Sequence, residues 1–104
     1  MYHIKSINES AFDGCQSLES VVLGDDLETI YDYAFHECRF LYEVWLGNSV
    51  KYIVNFAFRT CYTIPSIYIP KSVEELGSRS FVACTRAEIT VDRMEHGFEQ
   101  QIPN

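Results

Sequence analysis

The chain has 104 residues, of which 47% are hydrophobic and 22% are charged, and this composition is typical of one soluble domain with a modest core. Its net charge of -7 gives no electrostatic reason to bind nucleic acid or an anionic membrane directly, and it favours protein or basic partners instead. No apolar run approaches the roughly 18 residues that a membrane span requires, so no membrane partner is expected.

Four cysteines recur at a fixed interval of 23 residues, at Cys15, Cys38, Cys61 and Cys84. The same shift aligns three further columns of small or apolar residues: Ile7, Ile30, Ile53 and Leu76; Ala11, Ala34, Ala57 and Ser80; Phe12, Phe35, Phe58 and Phe81. A fixed period of this length indicates a solenoid whose coils stack equivalent residues on one another. We therefore predict a single domain, 1-104, with about four coils between residues 4 and 91.

Three kinds of segment follow one another in each copy. The first is a short extended segment, seen as LETI, VKYI and VEEL. The second is a stretch such as SAFDGC or YAFHEC, which follows a polar turn and predicts a tight helical turn. The third, seen as LESVVLG, LYEVWLG and IPSIYIP, alternates inward and outward residues and predicts a strand. Strands that recur after one coil must lie parallel, about 4.8 Å apart, so we expect one parallel sheet along the solenoid.

The two ends of the repeat differ. Ile89 and Val91 arrive one residue early, which indicates a deletion after Cys84, and the spacing of Asp92 and Glu95 suits a capping box for a C-terminal capping helix within residues 92–104. The first coil has no such device. It is expected to expose four apolar side chains, Ile4, Ile7, Phe12 and Leu18. This predicts either a piece of a longer solenoid or a homodimer that forms through the open coil.

The repeated pattern L-x-x-I-x-L-P-x-x-V-x-x-I-x-x-x-A-F-x-x-C resembles the BspA-like leucine-rich repeats over residues 4–91. The resemblance implies a β-rich leucine-rich-repeat solenoid that binds other proteins through its sheet face, commonly in adhesion or recognition at a bacterial or protist surface. It implies no enzymatic activity and no cofactor. The first residues, MYHIKSINES, lack a signal-peptide pattern, so the chain as written is expected to be cytoplasmic, and at the cell surface if it belongs to a longer secreted protein.

The segment YAFHECR places His36, Glu37 and Cys38 side by side, as a reactive or metal-binding centre would. The repeat argues against such a centre, because Cys38 belongs to a column of buried small side chains, while His36 and Glu37 fill two variable positions expected to be solvated. A linear column of cysteines can neither converge on one zinc ion nor give the facing geometry of a disulfide. We therefore predict no catalytic residue and no metal site.

The outward positions of the predicted strands offer the best candidate site. Val22, Trp45 and Tyr68 form one outward column, and Tyr42, Glu43 and Glu19 lie in the columns beside it. Aromatic anchors supply most of the binding energy of protein interfaces, so a protein-binding face is predicted here. The opposite, convex side carries further aromatic residues, which suggest a second contact surface: Tyr31, Tyr33, Phe40, Tyr52, Phe56 and Tyr62.

A different class of function also fits the composition. Acidic side chains lie at the corners of the coils, at Asp25, Asp26, Glu74 and Glu75. A small acidic intracellular inhibitor, of the kind that phages or mobile elements encode, could use such carboxylates to mimic nucleic-acid phosphates and block a nucleic-acid-binding protein.

Overall fold

The computed structural model describes residues 4–92, so the predicted capping helix lies outside the described residues apart from Asp92. Residues 4–92 form eight short strands and no helix. In chain order the strands are β1 (Ser6–Ile7), β2 (Ser20–Val22), β3 (Thr29–Ile30), β4 (Glu43–Trp45), β5 (Tyr52–Ile53), β6 (Ser66–Ile69), β7 (Glu75–Leu76) and β8 (Glu88–Val91). Nothing in this part of the chain has the form of a membrane-spanning helix.

The short extended segments of the four coils form one continuous sheet. Strands β1, β3, β5 and β7 pair in parallel in that order, and Ile7, Ile30, Ile53 and Leu76 lie in register. Each residue of this sheet therefore lies beside its counterpart one repeat away. This arrangement confirms the predicted leucine-rich-repeat solenoid with parallel strands.

The core consists of columns of equivalent side chains between the two strand faces and the turns. Phe35 and Phe58 are 1% and 0% exposed, and their rings stack with centroids 4.9 Å apart. Phe12 and Phe81 extend the stack at the two ends, with centroid distances of 5.3 Å and 5.2 Å. Offset aromatic stacking adds to the hydrophobic gain of burial, so each phenylalanine stabilises the coil before it and the coil after it.

The segments predicted as helical turns are instead linked β-turns. In the second coil, the amides of His36 and Cys38 donate to carbonyls three residues earlier, and Tyr33 and Glu37 have positive φ angles of 60° and 56°. In an α-helix, each backbone amide would donate along the helix axis to the carbonyl four residues earlier. Here the amide of Phe35 donates to Ala57 O of the next coil at 2.8 Å, so the turns also hold the stack together.

The strand face is divided, whereas the sequence predicted one sheet along it. Strand β2 pairs only with β4, and β6 pairs only with β8, so β4 and β6 are neighbours that belong to different sheets. In the second pair Ile67 lies opposite Ile89, which confirms the one-residue deletion after Cys84.

Pro65 stands at one end of this division, and a second hydrogen bond is missing at the other end. In the first pair, the amide of Tyr42 donates to Glu19 O at 2.9 Å, but its counterpart Pro65 has no N–H group to donate. At the other end of the strand, Leu23 N donates to Trp45 O at 2.9 Å, and no equivalent bond joins Leu46 N to Tyr68 O. The second and third coils are therefore separated along this face while they stay joined along the other.

Candidate protein-binding face

All six residues predicted to bind a partner are exposed on the divided strand face. The exposed fraction is 61% for Trp45, 53% for Tyr68 and 50% for Tyr42, while Glu43 and Glu19 are also exposed. Val22 is 75% exposed. The alternation of β6, where Ile67 and Ile69 are buried and Tyr68 is exposed, turns the aromatic side chains outward. Their role in binding remains a prediction.

The separation of β4 from β6 produces a groove of about 300 Å³ between the second and third coils. Its lining includes Tyr42, Glu43, Trp45, Pro65, Ser66 and Tyr68. A second hollow of about 390 Å³ is lined by residues that include Val22, Trp45 and Tyr68. Trp45 and Tyr68 therefore line both hollows, whereas Glu19 lines neither.

Two polar contacts orient the aromatic side chains of this face. The indole N–H of Trp45 donates to Glu43 Oε2 at 3.1 Å, and both side chains leave the same side of β4. Hydrogen bonding to Asp92 raises the pKa of the Tyr68 hydroxyl above its ordinary value. Glu43, Trp45 and Tyr68 therefore give the groove lining both apolar and anionic character.

Pro65 and Ser66 line the groove but were not among the predicted contact residues. The signal for Pro65 was present in the sequence, because a proline inside a strand marks an edge. The repeat pattern as a whole predicts equivalent strands in every copy, and so it does not indicate a break in the sheet.

The convex aromatic residues are of two kinds. Tyr33 and Phe56 are half-buried and stack with ring centroids 5.5 Å apart, and the guanidinium of Arg59 lies 5.8 Å from the Phe56 ring. They pack neighbouring coils together. The other four, Tyr31, Phe40, Tyr52 and Tyr62, are each at least 36% exposed. The convex contact surface predicted from six residues is therefore reduced to these four.

His36 is not solvated as the sequence predicted. Its side chain is only 15% exposed, with Nδ1 2.9 Å from Asp13 Oδ1 and Nε2 3.4 Å from Glu37 Oε2. Asp13 and His36 are equivalent positions of adjacent coils, so stacking places them together. The ring also meets Tyr33 edge-on, at a centroid distance of 5.1 Å. The histidine is part of a contact between the first two coils.

The cysteine column is a line of free thiols. Cys38, Cys61 and Cys84 are buried as predicted, while Cys15 in the first coil is partly exposed. The neighbouring Cys38 and Cys84 thiols, together with burial, raise the pKa of Cys61 far above its ordinary value. Within residues 4–92, no three His, Cys, Asp or Glu side chains converge in a way that could hold a metal ion.

The first coil has an open apolar side. A hollow of about 400 Å³ is lined by side chains that include Ile4, Ile7, Phe12, Leu18 and Phe35. Ile4 is 60% exposed and Phe12 is 40% exposed, in contrast to the buried phenylalanines of the later coils.

A stack of parallel strands, linked turns and aligned apolar columns defines a leucine-rich-repeat solenoid. The model of the family described as "BspA type Leucine rich repeat region (6 copies)" matches residues 2–100, and the chain belongs to this family. Repeat proteins of this class serve in general as binding and recognition modules and are typically non-enzymatic.

The solved structures include a similar chain, a leucine-rich repeat protein from Bacteroides capillosus. The two have 28% sequence identity and superpose with a TM-score of 0.74. The match covers 86% of this chain and 64% of the other, so the present chain spans less than two thirds of that protein's length. A comparison with curated proteins gave no match.

Proposed function

We propose that this chain binds a protein partner through the divided strand face, with Trp45, Tyr68, Tyr42 and Glu43 as the central contacts. The observation that carries this proposal is the groove between β4 and β6, which brings these four side chains together on two adjacent coils. Val22 and Glu19 lie beside them on the first coil and would form the edge of the contact.

The physical support is the energy available from these side chains. Tryptophan and tyrosine are enriched at the centres of protein interfaces, where truncation of one such anchor costs about 2 kcal/mol or more. Trp45 and Tyr68 contribute little to the packing of the monomer, because both are more than half exposed. Their burial by a partner would therefore contribute mainly to binding.

A paired capture experiment tests this assignment. The Trp45→Ala/Tyr68→Ala variant should keep the thermal stability of the parent chain and lose the proteins that the parent captures from a lysate or surface fraction. The matched control is Phe40→Ala/Tyr62→Ala, which removes two exposed aromatic side chains outside the strands. Equal capture by the parent and the Trp45/Tyr68 variant would exclude this face.

The exposed corner carboxylates support a second candidate, a small inhibitor of a nucleic-acid-binding protein. Asp25, Glu74 and Glu75 are exposed and the chain carries a net charge of -7. Binding through them should weaken steeply with salt and be lost when Asp25, Asp26, Glu74 and Glu75 are replaced by their amides. Salt-tolerant binding that depends on Trp45 would contradict this candidate.

We also propose that the open side of the first coil receives another coil of the same kind, in the same direction. Along the turns, alternate amides donate to the next coil, such as Phe12 N to Ala34 O and Phe35 N to Ala57 O. The equivalent carbonyl of Ala11 receives no described donor. Head-to-tail attachment of a second copy would reproduce this turn bonding, whereas two copies that met through the same edge would place the turn carbonyls against one another.

Sedimentation across a range of concentrations tests this contact. Head-to-tail attachment predicts reversible association that a Phe12→Glu substitution abolishes, because the charge would lie in the apolar hollow. If the chain is a monomer at every concentration, association with a second copy is excluded. The proposal would then hold only for a further coil of the same chain.

A further inference from the structure

We infer that the groove between β4 and β6 binds an arginine side chain of the partner, so that the recognised segment is basic and extended. This inference rests on the proposed function and adds the chemistry of the partner. Its basis is the combination of aromatic faces, carboxylates and a lack of basic residues on one surface.

The first step is the charge of the strand face. Strands β2, β4, β6 and β8 contain no lysine, arginine or histidine, and the lysines and arginines within residues 4–92 all lie in turns or connecting segments. The same face carries Glu43 and Glu88, with Glu19 at its edge and Asp92 next to Tyr68. The strands of this face therefore carry acidic side chains and no basic ones.

The second step is the arrangement of the aromatic groups. Trp45 and Tyr68 both line the groove, and Tyr42 lies beside them. An arginine guanidinium binds over such rings at distances within about 6 Å, and the interaction is strongest with tryptophan. The volume of about 300 Å³ suits one long side chain rather than a folded element.

The third step is the preorganised carboxylate. Glu43 accepts the indole N–H of Trp45 at 3.1 Å, which fixes the carboxylate at the edge of the ring. A guanidinium stacked on Trp45 would thus have an anionic acceptor within reach, and charge-assisted hydrogen bonds of this kind are the stronger ones in proteins. No lysine, arginine or histidine among residues 4–92 pairs with Glu43.

Beyond the groove, the same surface continues to favour a basic segment. Ser66 lies opposite Glu88 in the β6–β8 pair, and Glu43 occupies the equivalent position on β4. An extended chain that crosses the coils would meet Glu43, Ser66 and Glu88 in turn. Basic residues along that chain are therefore favoured at more than one position.

Fluorescence of Trp45 provides a direct test, because it is the single tryptophan of the chain. The probe is the blocked peptide Ala-Arg-Ala-Arg-Ala-Arg-Ala, compared with the same peptide in which citrulline replaces every arginine. Citrulline keeps the shape of the side chain but removes its charge. We expect a saturable change in Trp45 fluorescence with the arginine peptide and an affinity for the citrulline peptide that is lower by roughly tenfold or more.

Matched variants separate this site from a general effect of charge. Glu43→Gln and Tyr68→Ala should each weaken arginine-peptide binding by roughly 3- to 30-fold, while Glu74→Gln removes the same charge at an exposed corner and should leave the affinity unchanged. Thermal unfolding of each variant confirms that the fold is intact.

The outcomes distinguish this inference from the proposed function. Equal binding of the two peptides, equal effects of Glu43→Gln and Glu74→Gln, or no binding of either peptide would each overturn the arginine assignment. Loss of captured proteins from the Trp45→Ala/Tyr68→Ala variant would still uphold the proposed face, which would then recognise a partner of different chemistry.

Discussion

The thiol of Cys61 donates a hydrogen bond to the backbone carbonyl of Phe35, 3.0 Å away in the preceding coil. The same contact recurs from Cys38 to Phe12 O at 3.1 Å and from Cys84 to Phe58 O at 2.9 Å. The cysteines of the second, third and fourth repeats therefore each donate to a carbonyl of the phenylalanine column. This gives the cysteine column a structural reason beyond its small size.

Replacement of Cys61 by alanine should lower the free energy of unfolding by roughly 1–3 kcal/mol, because it leaves the buried Phe35 carbonyl without this donor and opens a small cavity. Urea unfolding measures the effect. Cys15→Ala is the matched control, since Cys15 is partly exposed and donates to no described carbonyl of an earlier coil. Equal losses for the two variants would show that the hydrogen bond contributes nothing.

The reactivity of the thiols should follow their burial. At pH 8, a thiol reagent such as Ellman's reagent should modify Cys15 first and Cys61 only when the chain unfolds, because the thiolate is the reactive form and the pKa of Cys61 is raised in the folded state. Mass spectrometry after partial labelling identifies the modified residue. Early labelling of Cys61 in the folded protein would contradict the buried hydrogen-bonded column.

The phenylalanine stack should dominate stability. Phe35 is 1% exposed and lies between Phe12 and Phe58, so Phe35→Ala should cost about 3–5 kcal/mol and lower the thermal midpoint by roughly 12 °C or more. Phe40→Ala, at a position that is 57% exposed, is the control and should change the midpoint by little. If both substitutions left the midpoint unmoved, the phase assigned to the repeat would be incorrect.

Gly77 should resist substitution because another coil lies against it. A Cβ atom at this position would be 2.6 Å from Asn55 N and 2.4 Å from Asn55 Oδ1, which itself accepts the amide of Arg79. Gly77→Ala should therefore destabilise the chain by roughly 1–3 kcal/mol. Gly24→Ala, where a Cβ would meet nothing within 4 Å, should be tolerated. Calorimetry of the two variants compares the stability cost of a Cβ atom at a crowded position with its cost at an open one.

Much of this architecture could be predicted because residues one repeat apart in the sequence lie against one another in neighbouring coils. Once the 23-residue shift was found, the buried positions of Ile30, Phe35 and Cys38 followed, and the early arrival of Ile89 predicted the altered register of β8. These inferences need only the rule that equivalent positions of neighbouring coils meet.

Features that depend on one residue in one coil were harder to predict. The break at Pro65 interrupts pairing between two particular coils, and the burial of His36 depends on Asp13 at the same position of the coil before it. The positive φ angles of Tyr33 and Phe56 were also hidden, because bulky residues rarely adopt that conformation. The groove at Trp45 belongs to this group, since the repeat pattern predicts the outward direction of the side chain but not the separation of the strands.

The divided face gives the solenoid different stiffness on its two sides. Coils two and three remain joined through the continuous β1-β3-β5-β7 sheet, but no ladder pairing joins β4 to β6. A hinge motion about the continuous sheet would thus spread Trp45 from Tyr68 without breaking a strand pair, whereas the same motion between β2 and β4 would break one. The distance between these two aromatic rings can therefore change while every strand pair of the solenoid stays intact.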